Sequence, residues 1–399
     1  MHELPKRPPR RLTSLNTQKN YVIHLCIVGG MAGTSRGGEA ALRTYLQRPD
    51  VQRGLRISAV GYVYVQPCIC LVGFILNIIN TYVFQRKTFS STPAYMLVLA
   101  LSIADAITLG LRIPQGLTYY RGSSSVTQTM AIYTYIYATY AEVPITNMTE
   151  NMSAWLTVCL ALERYVAMRH WNFTRQYSTR QNTKRLIISI ALVSVFFNLP
   201  YFMIHRIEFR RFANGSMRVI TNTTALRRSQ FYTVYSWFRM ITVQIIPLVF
   251  LCILNVLLIT IVYQHNKKFG KNTEMEPRGN RLSLGAEVSA AEELSLKDTT
   301  MGDSRLTQRR QKKRNAQRKL NILLIAIILL FLFGAIPQAF SYIRIFEAFG
   351  TCEEAFHYCP TYVIYRMVTT NIALISYGLT FFLYFFLNRH FRNELQKCI

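Results

Sequence analysis

The chain has 399 residues, 51% of them hydrophobic and only 16% charged, with a formal net charge of +27 and a positive mean hydropathy. Soluble chains of this length carry about 25% charged residues. Several long runs here have almost no charge, and about 20 such residues cross a bilayer, so the composition excludes an ordinary soluble domain.

Residues 1–56 form a basic tail opening on "PKRPPRRLTSLN". Within it, 21–33 ("YVIHLCIVGGMAG") is an apolar stretch behind a positive flank. It is too short to span and resembles a signal peptide with a late start; a disordered tail with one apolar patch is the other reading. Seven spans follow, at about 57–84, 93–117, 134–168, 185–204, 230–264, 315–344 and 361–387, which predicts an all-α membrane bundle over 57–387. Buried helices of a soluble core would show polar faces recurring every three or four residues, and these runs do not.

Between spans five and six, 265–314 is polar, rich in Ser, Thr, Gly and Glu and nearly free of aromatics, which predicts disorder. It leads into "RRQKKRNAQRK", a run that could pass for a nucleic-acid patch. Beside a span, contact with anionic phospholipid explains it better, and no nucleic-acid partner is expected. With this loop inside the cell, 25 of the 46 Lys and Arg residues fall on the inner side. Ten of the others lie in the long tail, which translocates largely regardless of charge, so the bias favours an outer N-terminus. Residues 388–399 form a short amphipathic helix and tail ending near Cys398, a candidate for palmitoylation.

Cys352 and Cys359, in "GTCEEAFHYCP", lie between spans six and seven on the expected oxidising side. A short-loop disulfide is one reading and two free thiols the other. Asn214 and Asn222 are glycosylation acceptors after span four. The matching patterns at Asn147, Asn151 and Asn172 fall in a span or on the inner side.

Ionisable groups inside spans are costly and mark function by default. Asp105 in "LVLALSIADAITLG" sits mid-run, with Asn77 and Ser153 as natural companions. Pro114, Pro200, Pro247 and Pro337 mark spans two, four, five and six, each removing a backbone hydrogen bond. Arg206, Arg210, Arg211, Arg218, Arg227 and Arg228 crowd the connection after span four. They point to an acidic ligand, or to lipid anchoring beside the aromatic belt "YTYIYATY".

These residues in this order resemble rhodopsin-like G-protein-coupled receptors over about 57–398. The resemblance rests on Asn77, "LALSIAD" ending at Asp105, "LALERYVAMRH" closing span three, Pro247, Phe331 with Pro337, and "FFLNRHFRNEL" after Tyr384. Within the family, "NIINTYVFQRKTFSSTPAYMLVLALSIAD", "FFNLPYF" and "IIPLVFLCILNVLLI" are similar to invertebrate FMRFamide-type neuropeptide receptors. The resemblance implies a plasma-membrane receptor with an outer N-terminus, a peptide ligand, and a heterotrimeric G protein and arrestin as partners. It implies no cofactor beyond a sodium ion near Asp105. Glu163, Arg164 and Tyr165 become the inner switch, with Asn255, Pro247, Phe331, Pro337 and Tyr384 as its relay and contacts. Asn77, Asp105, Ser153, Ser376 and Thr380 become the polar core. Pocket candidates are Arg112, Gln115, Glu142, Arg239, Gln244, Gln338, Arg344 and Arg366, with Glu142 facing the arginine of an Arg-Phe-amide end.

Several positions depart from the family pattern. Thr139 stands where the family's span-three cysteine belongs, and the following outer loop has no cysteine. Ala335 replaces the span-six tryptophan. Thr380 and Phe381 replace the polar residue and proline before Tyr384, which puts the sodium site in question. Gln317 stands where many relatives carry an acid that pairs with the span-three arginine. These losses keep open a divergent receptor with weak, constitutive or no coupling. A transporter would show internal repeats, a channel a filter loop, and an enzyme a paired nucleophile and base; none is visible.

Overall fold

The computed structural model of the chain describes residues 44–90, 92–120, 128–169, 176–211, 217–274, 322–341 and 359–397. The tail to residue 43 with its 21–33 stretch, Asn172, Asn214, residues 275–321 with Gln317, Arg344, Cys352 and Cys398 lie outside the described residues.

Proline is favoured at the first helical turn, where its missing N–H would be unpaired anyway. Pro49, Pro93 and Pro360 accordingly open α1 (Pro49–Phe84), α2 (Pro93–Gly116) and α7 (Pro360–Leu387). Between them run α3 (Val143–Arg169), α4 (Arg180–Phe202), α5 (Gln230–Gln264) and α6 (Ile322–Ser341). Side-chain oxygens cap α4 and α5, Thr179 accepting from the Asn182 N–H and Ser229 from that of Tyr232. Asn388 opens the amphipathic α8 (Arg389–Gln396) by accepting from the N–H groups of His390 and Phe391.

Among the described residues, six of these helices are long and apolar enough to cross a membrane. The seventh long helix, α3, is polar along one side, and that side is buried. Thr146, Thr149, Asn151, Ser153 and Thr157 all face the bundle interior. α1 begins earlier than the apolar run suggested, because the amphipathic turns of "PDVQRGLR" continue the helix. Its 36 residues make it about 54 Å long, well beyond the 30 Å of a hydrocarbon core.

Proline placement shapes three of the helices. π-helical stretches occupy Gly61–Val65, Tyr137–Glu142 and Ile241–Ile245, two residues before Pro67, Pro144 and Pro247 respectively. A proline ring clashes with the carbonyl four residues back, here those of Val63, Tyr140 and Val243. A wider turn relieves that clash. Pro114 and Pro200 instead sit in 3-10 segments, Ile113–Tyr120 and Leu199–Phe202. Around Pro337 the α-helix continues through Ser341.

One departure from an all-α reading follows α4. β1 (His205–Arg211) and β2 (Met217–Thr223) pair antiparallel, from His205 opposite Thr223 to Arg211 opposite Met217. The alternation of Ile207 and Phe209 with charged neighbours has the strand period of two.

α1 packs on α2 and α7, α2 on α3, and α3 on α4 and α5. α1 and α7 meet backbone to backbone: a Cβ on Gly378 would stand 3.1 Å from Gly73 Cα. Asn77 fastens that contact, its Nδ2 donating to the carbonyls of Gly73 (2.9 Å) and Tyr377 (3.1 Å). At the Arg164 end, an apolar core joins Phe84, Phe89, Leu97, Leu160, Leu323, Leu324, Tyr384 and Phe391. A second seam joins Val158 and Ala161 of α3 to Leu251, Leu254 and Leu258 of α5 and to Ile328 and Leu332 of α6.

Candidate functional site

Buried polar groups gather at both ends of the bundle. At one end α3 finishes with Glu163 and Arg164, an ion pair with Nε and Oε2 at 2.7 Å and side chains 14% and 10% exposed. The contact lacks hydrogen-bond alignment, so charge rather than a directed bond holds it. Ser178 steadies the acid, its hydroxyl donating to Glu163 Oε1 at 3.5 Å. Tyr165 packs against the α3–α5–α6 seam.

Asn255 of α5 is 3% exposed beside that same seam, and neither of its amide atoms has a partner. An unsatisfied buried polar group costs about 1–3 kcal/mol. Tyr384 packs among aromatic rings in this arrangement. It is 1% exposed, edge-on to Phe84 at 4.8 Å and 5.7 Å from Phe391, within the aromatic cluster that seats α8. Beside it, Asn388 Nδ2 donates to the Tyr95 hydroxyl at 3.2 Å, tying α2 to the start of α8.

In mid-bundle, Asp105 is 2% exposed and its Oδ1 accepts from the Ser153 hydroxyl at 2.7 Å. The rest of the expected polar core does not converge on it. Asn77 spends its donors on the backbone of α1 and α7, as above. Ser376 donates to the Ala373 carbonyl and Thr380 to that of Tyr377. Ser376 also faces α6, where a Cβ on Gly334 would lie 2.5 Å from its oxygen. Among the described residues Ser153 alone of this set hydrogen-bonds Asp105, so these contacts do not assemble an oxygen cage for sodium.

At the other end, a cleft opens to solvent among α3, α5, α6 and α7. Its walls carry Glu150, Arg239, Gln244 and Gln338, and Ala154, Pro247, Phe331 and Ala335 line it too. Ala335 lies where an indole would fill space, so its small side chain leaves the cleft open at the level of Phe331. Glu150 Oε1 pairs with Arg112 Nη2 of α2 at 2.6 Å. Arg239 is held by neutral groups: Nη2 donates to Asn147 Oδ1, Nε to Asn198 Oδ1 at 3.3 Å, and the guanidinium lies 4.8 Å over the Tyr201 ring.

Of the expected pocket residues, the structure brings Arg239, Gln244 and Gln338 to the cleft. Arg112 stands behind it, holding Glu150. Gln115 lies against α1, accepting from Gln66. Arg366 is exposed on α7. Glu142 is 4% exposed in the π stretch before α3 and does not line the cleft. The cleft acid is Glu150, two turns deeper. Sequence reasoning passed over it, although an acid in mid-span is itself a functional signal. Asn147 and Asn198 carried no such signal, since only the packing of α3, α4 and α5 turns them to Arg239.

Asn147 and Asn151 lie inside the bundle and are no glycan acceptors. Asn222 is on β2, its Nδ2 donating to Glu208 Oε2 at 2.6 Å. Cys359, at the start of α7, is disulfide-bonded, whereas Cys68, Cys70, Cys159 and Cys252 are free. At the start of β1, burial and the Arg227 charge hold His205 below the usual imidazole range, and its Nδ1 has no partner among the described residues.

A seven-helix membrane bundle with an ion-paired arginine ending its third helix, and a cleft at the opposite end, is the architecture of a membrane receptor. Residues 76–375 match the family described as 7 transmembrane receptor (rhodopsin family), and the chain belongs to that family. It is accordingly a multi-pass membrane protein and a receptor rather than an enzyme. It is similar to the "Probable G-protein coupled receptor B0563.6" of Caenorhabditis elegans, 24% identical over 54% of this chain and 50% of that protein. The sex peptide receptor of Drosophila melanogaster is 23% identical over 84% of this chain and 72% of its own length. Neuromedin-U receptor 2 of Mus musculus is 28% identical over 37% of this chain and 36% of its own. The chain thus spans about half of the first of these relatives and more of the second.

Proposed function

We propose that this chain is a neuropeptide receptor of the FMRFamide-like type, which passes peptide binding at the cleft to a heterotrimeric G protein at the Arg164 end. The hairpin end faces outward in this reading and 1–56 is an extracellular tail. The receptor domain is 57–387, with the polar loop 265–314 inside, and 388–399 lies along the inner leaflet of the plasma membrane. The charge bias supports that orientation, and the peptide-receptor relatives support the ligand class.

One observation carries the mechanism. Phe331 lines the cleft and also packs against the α3–α5–α6 seam beside Asn255. A ligand that shifts Phe331 against Pro247 and Ala154 moves α6 in that seam, whose inner end holds Arg164. Arg164 then exchanges Glu163 for Asn255 and the incoming G-protein segment. The ligand shifts this balance only by its differential affinity for the two shapes. Arrestin would engage the same end, and the basic residues near 309–319 the anionic lipid. An Arg-Phe-amide ligand's arginine would have to compete with Arg112 for Glu150, since Glu142 stands outside the cleft.

A second reading, a divergent receptor with weak or constitutive coupling, is favoured by Ala335 and Gln317. Screening amidated neuropeptides on cells displaying the full chain, with G-protein activation as readout, separates the two. The proposal expects a peptide-dependent signal that Arg164→Ala abolishes; silence across the RFamide class removes the ligand assignment. An Arg164→Ala receptor signalling like the wild type removes the switch.

A further inference from the structure

The cleft's charges do not cancel. Arg112 neutralises Glu150, whose one hydrogen bond among the described residues is the one that Oε1 accepts from Arg112 Nη2. Arg239 has no acidic partner among the described residues. Its contacts are two asparagine oxygens and the Tyr201 face, and its Nη1 makes no hydrogen bond. Asn147 lies one turn from Glu150 on α3, so the acid stands near both arginines and serves Arg112. Among the described residues, the cleft wall is left with a guanidinium, that of Arg239, that no carboxylate pairs.

A cation without a counter-ion inside a span is destabilising. Its retention in a fixed pose, facing a solvent-open cleft, needs a use. Gln244, on the same helix, adds a side-chain amide donor to the wall.

We infer that Arg239 is a carboxylate-binding subsite: the ligand presents a carboxylate to the free edge of the guanidinium, with Gln244 donating beside it. This rests on the peptide-receptor reading and adds the feature the receptor recognises. Either an acidic side chain or a free C-terminus could supply the group. An amidated peptide could supply only the former.

The test has two arms. In the first, the purified full-length protein is heated with 3-phenylpropionate or its uncharged counterpart 3-phenylpropionamide at matched ionic strength. The acid should raise the unfolding midpoint by about 2 °C more than the amide. That difference should persist in Arg239→Lys and vanish in Arg239→Gln, each protein serving as its own baseline. Equal shifts in the wild type, or a difference that survives in Arg239→Gln, overturn the proposal whether or not a peptide is known.

In the second arm, peptides active on cells are compared as Glu/Gln, Asp/Asn and C-terminal acid/amide pairs. Neutralising the recognised group should cost about tenfold or more in potency. That cost should disappear in Arg239→Gln, and the affected pair identifies the source. Active peptides with no sensitive pair also overturn the subsite. If every peptide is silent, the peptide reading fails, and the first arm decides the subsite alone.

Discussion

Removing one member of the Arg112–Glu150 pair should be far more damaging than removing both. The charges are 2.6 Å apart with side chains 14% and 20% exposed. At an effective dielectric near 20, Coulomb attraction at that distance is about 6 kcal/mol, much of it offset by the cost of taking both ions out of water. Deleting one partner leaves that cost standing without the attraction, and such losses run to about 3–5 kcal/mol. Glu150→Gln and Arg112→Met should therefore each destabilise the bundle by about 3 kcal/mol. The double variant Arg112→Met/Glu150→Leu, apolar on both sides, should return to within about 1 kcal/mol of wild type. Unfolding of the purified full-length protein by SDS titration measures all four proteins. A single variant as stable as wild type, or a double variant carrying the sum of both losses, would show that the pair is not a buried, mutually compensating unit.

Ser153→Ala removes the hydroxyl donor to Asp105 and should cost about 1–3 kcal/mol in the same assay, whereas Ser376→Ala, whose bond stays within its own helix turn, should cost much less. Asn388→Ala deletes the α8 cap together with the link to Tyr95. About 1 kcal/mol of helix stability should go with it, visible as faster amide exchange over 391–396; unchanged exchange there would contradict the capping role. His205 has a depressed pKa in the folded state, so the unfolded chain takes up the proton first as pH falls. Hairpin stability should then be fully present above the ordinary histidine pKa and decline as pH drops below it. Amide protection of β1 and β2 followed downward from neutral pH should show that decline in wild type and none in His205→Gln.

Much of the architecture was legible without coordinates because bilayer length and hydrophobic runs are local properties. The seven spans, the prolines, the mid-span Asp105 and the Glu163–Arg164 neighbours all follow from residue type and position within a run. Pro67 and Pro144 were equally visible as residues. That each is preceded by a π turn became apparent only from the backbone, because the carbonyl clash can be relieved by a bend, a 3-10 segment or a widened turn. The hairpin was obscured by its charge, although its alternation was there to read. Partner choice was beyond sequence, because it depends on which helix faces which. Glu150 could have served Arg239, which lines the same cleft, but the packing of α2 on α3 gives it to Arg112. Tyr384 could have reached toward Arg164, but the aromatic cluster of Phe84 and Phe391 holds it beside α8. The apolar runs determined a seven-helix membrane bundle and placed the Glu163–Arg164 neighbours near the end of its third helix. Tertiary packing decided which charges neutralise one another, and among the described residues it left Arg239 in the cleft without an acidic partner.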